Sequence, residues 1–198
     1  MGRVLLVALA VLFGAATVGT AFAPYLAIHH PLVLIALNPW PRHIILVAPH
    51  TPIVPLVIIA TLRGLCTCIV GFEVGRHYGP RGIKLFERRS PRLGTFVRAF
   101  ERVFSRAAPL FLVLSPGPLT SSLAAISRNS RTMTLALSAF GLAVWASINH
   151  QVGDWLKPWT APILAFFQRH LFATTLVCAV LVFGYQWIMR RRRLKEKP

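Results

Sequence analysis

Four long apolar stretches divide the chain, and each is long enough to cross a lipid bilayer as a helix. They cover residues 4–22, 52–75, 132–150 and 171–189. An α-helix rises about 1.5 Å per residue, so roughly 20 residues cross the hydrocarbon core. The pattern predicts an all-α integral membrane protein with four transmembrane helices in a single membrane domain, residues 1–198.

The first apolar stretch fits two interpretations. Arg3 precedes it and Ala21-Phe22-Ala23 ends it, which resembles a signal peptide with a small-residue cleavage site. Pro24 would stand at the start of the mature chain, a position unfavourable for cleavage. The sequence favours an uncleaved signal anchor over a removed leader.

Two further apolar segments are interrupted at their centres. The interruptions are Asn38-Pro39-Trp40-Pro41-Arg42 within residues 31–49, and Pro116-Gly117-Pro118 within residues 107–125. Proline breaks a continuous helix, and each remaining half is too short to cross a bilayer. We predict two re-entrant helical hairpins, each entering and leaving on one side with its broken tip covered by protein. For the first segment an extracytoplasmic loop is the alternative, which the apolar run at 44–47 disfavours.

The order of these segments repeats. A broken hairpin followed by a full span occurs at 31–75 and again at 107–150. Interrupted segments in matching positions of two halves indicate a transport site at an inverted-repeat interface. We therefore expect the two hairpins to enter the membrane from opposite sides.

Charge modifies this picture mainly through its distribution. The chain has 22 Lys+Arg, 5 Asp+Glu and a formal charge of +17, yet charged residues make up only 14% and hydrophobic residues 55%. Soluble domains carry about 25% charged residues, so a soluble nucleic-acid-binding protein is excluded. Lys157 and Arg169 fall outside, Arg42 and Arg63 fall in membrane segments, and the other bases share one side with both termini. This bias predicts cytoplasmic N- and C-termini.

The remaining bases lie in two cytoplasmic segments. Residues 81–105 form a predicted amphipathic segment, in which Ser90-Pro91 begins a helix and arginines flank an apolar face. Residues 190–198 form a basic tail. Both predict contact with anionic membrane lipids. Trp155 and Trp159 are expected at the outer interface.

Several motifs resemble one known family. They are Gly71-Phe72-Glu73-Val74-Gly75-Arg76-His77-Tyr78-Gly79, Asn38-Pro39-Trp40-Pro41-Arg42, and Ala125-Ile126-Ser127-Arg128 leading to Gly141-Leu142-Ala143-Val144-Trp145. In this order they resemble the DedA/VTT (SNARE-associated) membrane proteins over residues 30–155. The family motif residues are Gly71, Gly75, Arg76, Gly79 and Arg128.

The resemblance implies two opposed re-entrant hairpins and the movement of lipids, either undecaprenyl phosphate or phospholipids, across the bilayer. The hairpin tips would be Pro39 and Pro41 in the first and Pro116, Gly117 and Pro118 in the second. Acidic positions of the family fall here on Arg42 and Cys68, and Pro116-Gly117-Pro118-Leu119 lacks the arginines usual in the second hairpin. These departures fall on functional positions of the family, so they leave open whether this chain couples transport to an ion and whether it transports lipid at all.

Four residues are candidates for holding a lipid phosphate. Arg63 lies near mid-depth of a span, where an unpaired charge is costly and a functional role is the default. Arg42, with His43 and Asn38 beside it, would join Arg63 in holding the phosphate. The alternatives are that Arg63 bonds hairpin carbonyls and that the Arg42 tip is shallow and wet. Glu73 is expected to pair locally with Arg76 and His77.

The sequence offers little for catalysis. Five acids leave few carboxylates to orient a base, and neither a metal-ligand cluster nor a phosphate loop appears, so we expect no enzyme, cofactor or metal. The function predicted is a lipid transporter or scramblase in a bacterial inner membrane. The alternatives are a non-transporting scaffold whose basic helix binds lipid or partners and, third, a membrane enzyme. A homo-oligomer is left open.

Overall fold

In the computed structural model, the described residues are 2–89 and 107–195, with side chains described at 4–79, 107–189 and 191. Every regular element in these ranges is helical. The helices are α1 (Gly2–Ala21), α2 (Ala23–His29), α3 (Pro31–Leu37), α4 (Pro41–Val47), α5 (Ile53–Arg89), α6 (107–114), α7 (Pro118–Ile126), α8 (Arg131–Trp155), α9 (Lys157–Arg169) and α10 (Leu171–Lys195), with a 3₁₀ turn at Ala48–His50.

The four predicted spans are confirmed as helices long and apolar enough to cross a membrane. They are Val4–Ala21, Ile53–Gly79, Arg131–Trp155 and Leu171–Met189. The apolar side chains on them are widely exposed, as on Val7, Ile58, Phe140 and Leu181. An exposed apolar surface of this extent is what a bilayer would cover.

Proline determines where the short helices begin. It occupies the first turn of α2, α3, α4, α7 and α9, where its missing N–H has no helical partner to lose. The two interrupted segments are therefore broken where the sequence predicts, at 38–40 and at 115–117. α8 is instead preceded by Ser130 as its N-cap, whose hydroxyl accepts a hydrogen bond from the backbone N–H of Met133 at 3.2 Å.

The chain forms two compact units. The first comprises Met1–Val11 and Ala60–Trp145, and the second comprises Leu12–Ile59 and Ala146–Pro198. Each contains one of the broken helix pairs, α6–α7 in the first unit and α3–α4 in the second.

A ridge of glycines joins α5 to α7 in the first unit. A Cβ atom added at Gly71, Gly75 or Gly79 would collide with Pro118, Ser122 or Ile126 respectively. Because both sets of numbers rise together at intervals of four, the two helices run parallel with their backbones in contact. The Ser122 hydroxyl crosses the contact and donates to the Gly71 carbonyl at 2.6 Å. Small residues at intervals of four allow this close approach in membrane helices.

α6 is held against α7 and α8. Ala108, Leu112 and Ala124 form the buried core of the α6–α7 pair. On α8, a Cβ atom at Gly141 would lie 2.6 Å from the Val113 carbonyl oxygen. The Trp145 indole donates to the Leu114 carbonyl at 2.7 Å, which caps the end of α6.

The second unit holds α3 and α4 by similar close contacts. A Cβ atom at Gly19 of α1 would lie 2.9 Å from the Leu37 Cβ, and one at Gly153 of α8 would lie 2.6 Å from the Ile45 carbonyl oxygen. His150 Nε2–H donates to the Thr51 carbonyl at 2.9 Å, just beyond the 3₁₀ turn. α2 packs against α3, α9 and α10.

Two parts of the structure go beyond the elements predicted from the sequence. The connection between the last two spans, for which no element is predicted, contains α9, whose buried Thr160 and Leu164 share one face. α5 runs without interruption to Arg89, so it includes the first residues of the predicted cytoplasmic segment 81–105. The predicted helix start at Ser90-Pro91 lies outside the described residues, as does most of that segment.

Candidate functional site

Asn38, a predicted phosphate ligand, is 4% exposed and is held by α1. Its amide Nδ2 donates to the Thr20 hydroxyl at 2.9 Å and to the Ala16 carbonyl at 3.3 Å. Both donor hydrogens are thus directed at the neighbouring helix. The observed role of Asn38 is to attach the break between α3 and α4 to α1.

His43 lies in the same buried break. Its Nδ1–H donates to the Asn38 carbonyl at 3.0 Å, which satisfies the backbone oxygen that the end of α3 leaves free. Burial lowers the pKa of His43, and the neighbouring Arg42 charge acts in the same direction, against the raising effect of the hydrogen bond. The buried ring is therefore a neutral structural donor.

Arg42 differs from these two neighbours because it is exposed. Its guanidinium lies 5.0 Å from the ring centroid of Trp40, which is also exposed. Stacking of this kind keeps the cation oriented while leaving its N–H groups accessible. Of the three residues predicted at this tip, Arg42 is the one that can reach a ligand outside the unit.

Arg63 lies in α5, half-buried, in the first unit, whereas Arg42, His43 and Asn38 lie in the second. The shared phosphate site of these residues therefore stays a prediction. Five residues beyond Arg63, Cys68 is fully buried against Ser121 of α7 and Ser138 of α8, which are also fully buried. This group of small polar side chains stands where the resemblance implied an acid.

In the second break, a nearby side chain can bond the backbone carbonyls. The Thr120 hydroxyl lies 2.9 Å from the Ser115 carbonyl and 3.0 Å from the Gly117 carbonyl, so it can donate to either. Pro116 and Gly117 form the non-helical tip, and Pro118 begins α7. The Thr120 side chain thus supplies a donor for one backbone carbonyl beside the tip.

The motif residues of the DedA/VTT resemblance are found in two settings. Gly71, Gly75 and Gly79 form the α5–α7 contact described above. Arg128 ends α7 with φ 59°, and backbone bonds run from Asn129 N to Ala124 O and from Arg128 N to Ala125 O. This is a Schellman cap with arginine in the position that glycine usually occupies.

Glu73 is paired differently from the expectation. Its carboxylate lies 3.5 Å from Arg131 Nη2, across from α5 to α8, and this is its ion pair in the described part of the chain. The predicted local pair with Arg76 or His77 is not the one found. Spacing along one helix could not reveal Arg131, because its approach depends on the packing of α8.

A cavity opens beside this ion pair, within the first unit. Its volume is about 570 Å³, and Val4, Leu5, Glu73, Arg76, His77 and Arg131 line it. The sequence predicts Arg76 as a motif residue and as a local partner of Glu73, whereas Arg131 is not among the predicted site residues. Among the described residues, no group of three or more His, Cys, Asp or Glu side chains is arranged to hold a metal ion.

Comparison with known proteins adds no name to this geometry. No protein-family model, no curated protein and no solved structure matches the chain. The resemblance to DedA/VTT proteins therefore stays a prediction based on the motifs.

Proposed function

We propose that this membrane protein moves a phosphate-bearing lipid, undecaprenyl phosphate or a phospholipid, across the bilayer as a transporter or scramblase. The observation that carries the proposal is that each proline-broken tip has a free backbone carbonyl bonded by a side chain of the same segment. Asn38 O accepts from His43, and Ser115 O lies 2.9 Å from the Thr120 hydroxyl, which can donate to it. In hydrocarbon, irregular backbone is tolerated only where protein satisfies and covers it.

These bonds support placing α3–α4 and α6–α7 in the membrane as re-entrant hairpins. Close contacts at Gly19 and Gly141 hold the residues before each tip, Leu37 and Val113, against a neighbouring helix. Broken helices in corresponding positions of two halves are typical of transport proteins that bind cargo near the midplane. In an extracytoplasmic loop, water could bond these backbone carbonyls, and side-chain donors would not be needed.

Arginine chemistry supports a phosphate as the recognised group. The guanidinium presents donors in a fixed fork that matches phosphate oxygens. Arg42 is exposed at the first tip, and Arg63 lies part-way along a span, where a cation needs a partner or a hydrated path. In this proposal each arginine binds a passing head group.

The proposal is tested with purified protein in liposomes that carry a fluorescent phospholipid. A membrane-impermeant reductant bleaches only the outer leaflet unless the protein exchanges lipid between leaflets. We expect the parent protein to extend bleaching to the inner leaflet, and Arg42→Ala and Arg63→Ala to abolish that extension. Arg169→Ala, an exposed arginine at the end of α9, is the matched control and should retain activity.

Insertion of each variant is verified by its co-flotation with the liposomes. An inactive parent protein, or unchanged bleaching with both arginine variants, would contradict the proposal. The same set of measurements is repeated with a fluorescent polyprenyl phosphate, because the two lipid classes share the phosphate but differ in chain chemistry.

A further inference from the structure

The cavity beside Glu73 lies at the ends of three candidate spans. One span begins at Val4, another begins at Arg131, and the third ends at Gly79, just after Glu73, Arg76 and His77. The end of a membrane span marks the boundary between hydrocarbon and water. The cavity is therefore at head-group depth on one face of the membrane, and all its lining residues belong to the first unit.

The lining is divided in its chemistry. Arg76, His77 and Arg131 provide two guanidinium groups and an imidazole, against the single carboxylate of Glu73. Val4 and Leu5 add apolar side chains from the start of α1. The volume of about 570 Å³ is within the range of small-molecule sites, roughly 300–1,000 Å³.

We propose that this cavity binds the phosphate head group of an anionic lipid, with Arg76 and Arg131 on the phosphate oxygens and Val4 and Leu5 beside the upper acyl chain. Two guanidinium groups against one carboxylate leave an excess of positive charge, which favours an anionic head group over a zwitterionic one. The adjacent apolar side chains favour a lipid over a free anion. The site requires a membrane around the protein, and it holds with or without transport.

The Glu73 carboxylate competes with the lipid phosphate for Arg131. In the structure its carboxylate lies 3.5 Å from Arg131, so an incoming phosphate has to replace it as the arginine's partner. Glu73 is 24% exposed and Arg131 54% exposed, which leaves the guanidinium reachable from the cavity. The carboxylate would also repel the phosphate, and removing its charge should therefore tighten binding.

The experiment uses the full chain in detergent and lipids with short acyl chains, kept below their micelle concentration. The dissociation constant is measured by thermophoresis for a short-chain phosphatidylglycerol, the matching phosphatidylcholine, and inorganic phosphate. We expect the phosphatidylglycerol to bind at least about tenfold more tightly than the other two, equivalent to about 1.4 kcal/mol. Equal binding of phosphatidylcholine, or equal binding of inorganic phosphate, would overturn the proposal.

Substitutions of the lining residues then test whether the lipid binds in this cavity. Arg76→Gln and Arg131→Gln should each weaken phosphatidylglycerol binding by about tenfold, the loss of one charge-assisted contact. Glu73→Gln should tighten it by about threefold, since the competing charge is removed. A purely structural Glu73–Arg131 pair would instead weaken binding in both variants, because either change would loosen α5 from α8.

Arg169→Gln, in the second unit, removes the same charge at an exposed position and should leave the constant unchanged. Unchanged binding in the Arg76→Gln, Arg131→Gln double variant would also overturn the proposal. The parent protein could bind phosphatidylglycerol in this way and yet leave the inner-leaflet lipid protected from the reductant. That result would refute the transport function and leave the binding site standing.

Discussion

Buried polar residues at the first break show how a residue's environment decides its role. Asn38 and His43 have the side-chain chemistry to bind a phosphate, and the sequence predicts that role. In the structure Asn38 directs its amide at Thr20 and Ala16, and His43 donates to the Asn38 carbonyl. Arg42, next in the chain to His43, is exposed and stacked on Trp40. The sequence identifies side chains that could bind a phosphate. Only the packing shows which of them are used within the fold and which are accessible to a ligand.

The stability of the protein should depend on pH through His43. Burial lowers its pKa below the ordinary 6.5, so the folded protein keeps the ring neutral while the unfolded chain binds a proton. Stability is therefore full above about pH 6.5 and declines as the pH falls below it. We expect the melting temperature in detergent to fall between pH 7 and pH 5, and His43→Gln to flatten that fall.

His29→Gln is the control for this measurement, because His29 is exposed on α2. It should leave the pH dependence unchanged. If His43→Gln melts with the same pH profile as the parent protein, another group is responsible for the acid sensitivity.

Among the secondary-structure elements, the long apolar helices are the ones that the sequence predicts best. The four predicted spans agree with the observed ones to within five residues at each end, because an apolar run of that length has few alternatives to a membrane helix. α9 was missed because Pro158, Pro162 and its polar residues interrupt the apolar run. Its exposed stripe of Trp159, Ile163 and Phe166 appears only once helical geometry is known.

The glycine ridge gives a prediction at this scale. Gly75→Ala should destabilise the protein by about 1–3 kcal/mol, because its Cβ atom would collide with the Ser122 backbone and force α5 from α7. Thermal unfolding in detergent should show this as a lower melting temperature.

Gly14→Ala is the matched control, since a Cβ atom there meets nothing within 4 Å. It should be neutral or stabilising by up to about 1 kcal/mol, as alanine favours the helix. Equal effects of the two substitutions would mean that α5 and α7 are not in backbone contact.

For the whole molecule, the sequence predicts more of the architecture than of the site. Segment order, breaks and spans follow from hydropathy and proline, which act locally. The Glu73–Arg131 pair and its cavity join residues 58 positions apart, and no local pattern encodes such an approach. The joint use of Arg42 and Arg63, and the inverted repeat, concern the arrangement of the two units and stay predictions.

The distribution of bases predicts the orientation of the whole molecule. With both termini cytoplasmic, α9 should face the outside, and its exposed Trp159 would lie at the outer interface. In a cysteine-free background, Gln168→Cys should react with a membrane-impermeant maleimide in intact cells, whereas Lys197→Cys should react only after lysis. The reverse pattern would invert the topology, and labelling of both positions in intact cells would contradict four spans.

The spacing of the glycines between α5 and α7 also restricts how this pair can move. Gly71 and Gly75 meet backbone atoms, which cannot repack as side chains do, so a gradual tilt would open a gap or cause a collision. A slide by one helical turn, about 5.4 Å, is different, because it would bring Gly75 opposite Pro118 and Gly79 opposite Ser122. Two of the three glycine contacts would form again in that register, so a step of one turn is the displacement that this ridge would tolerate best.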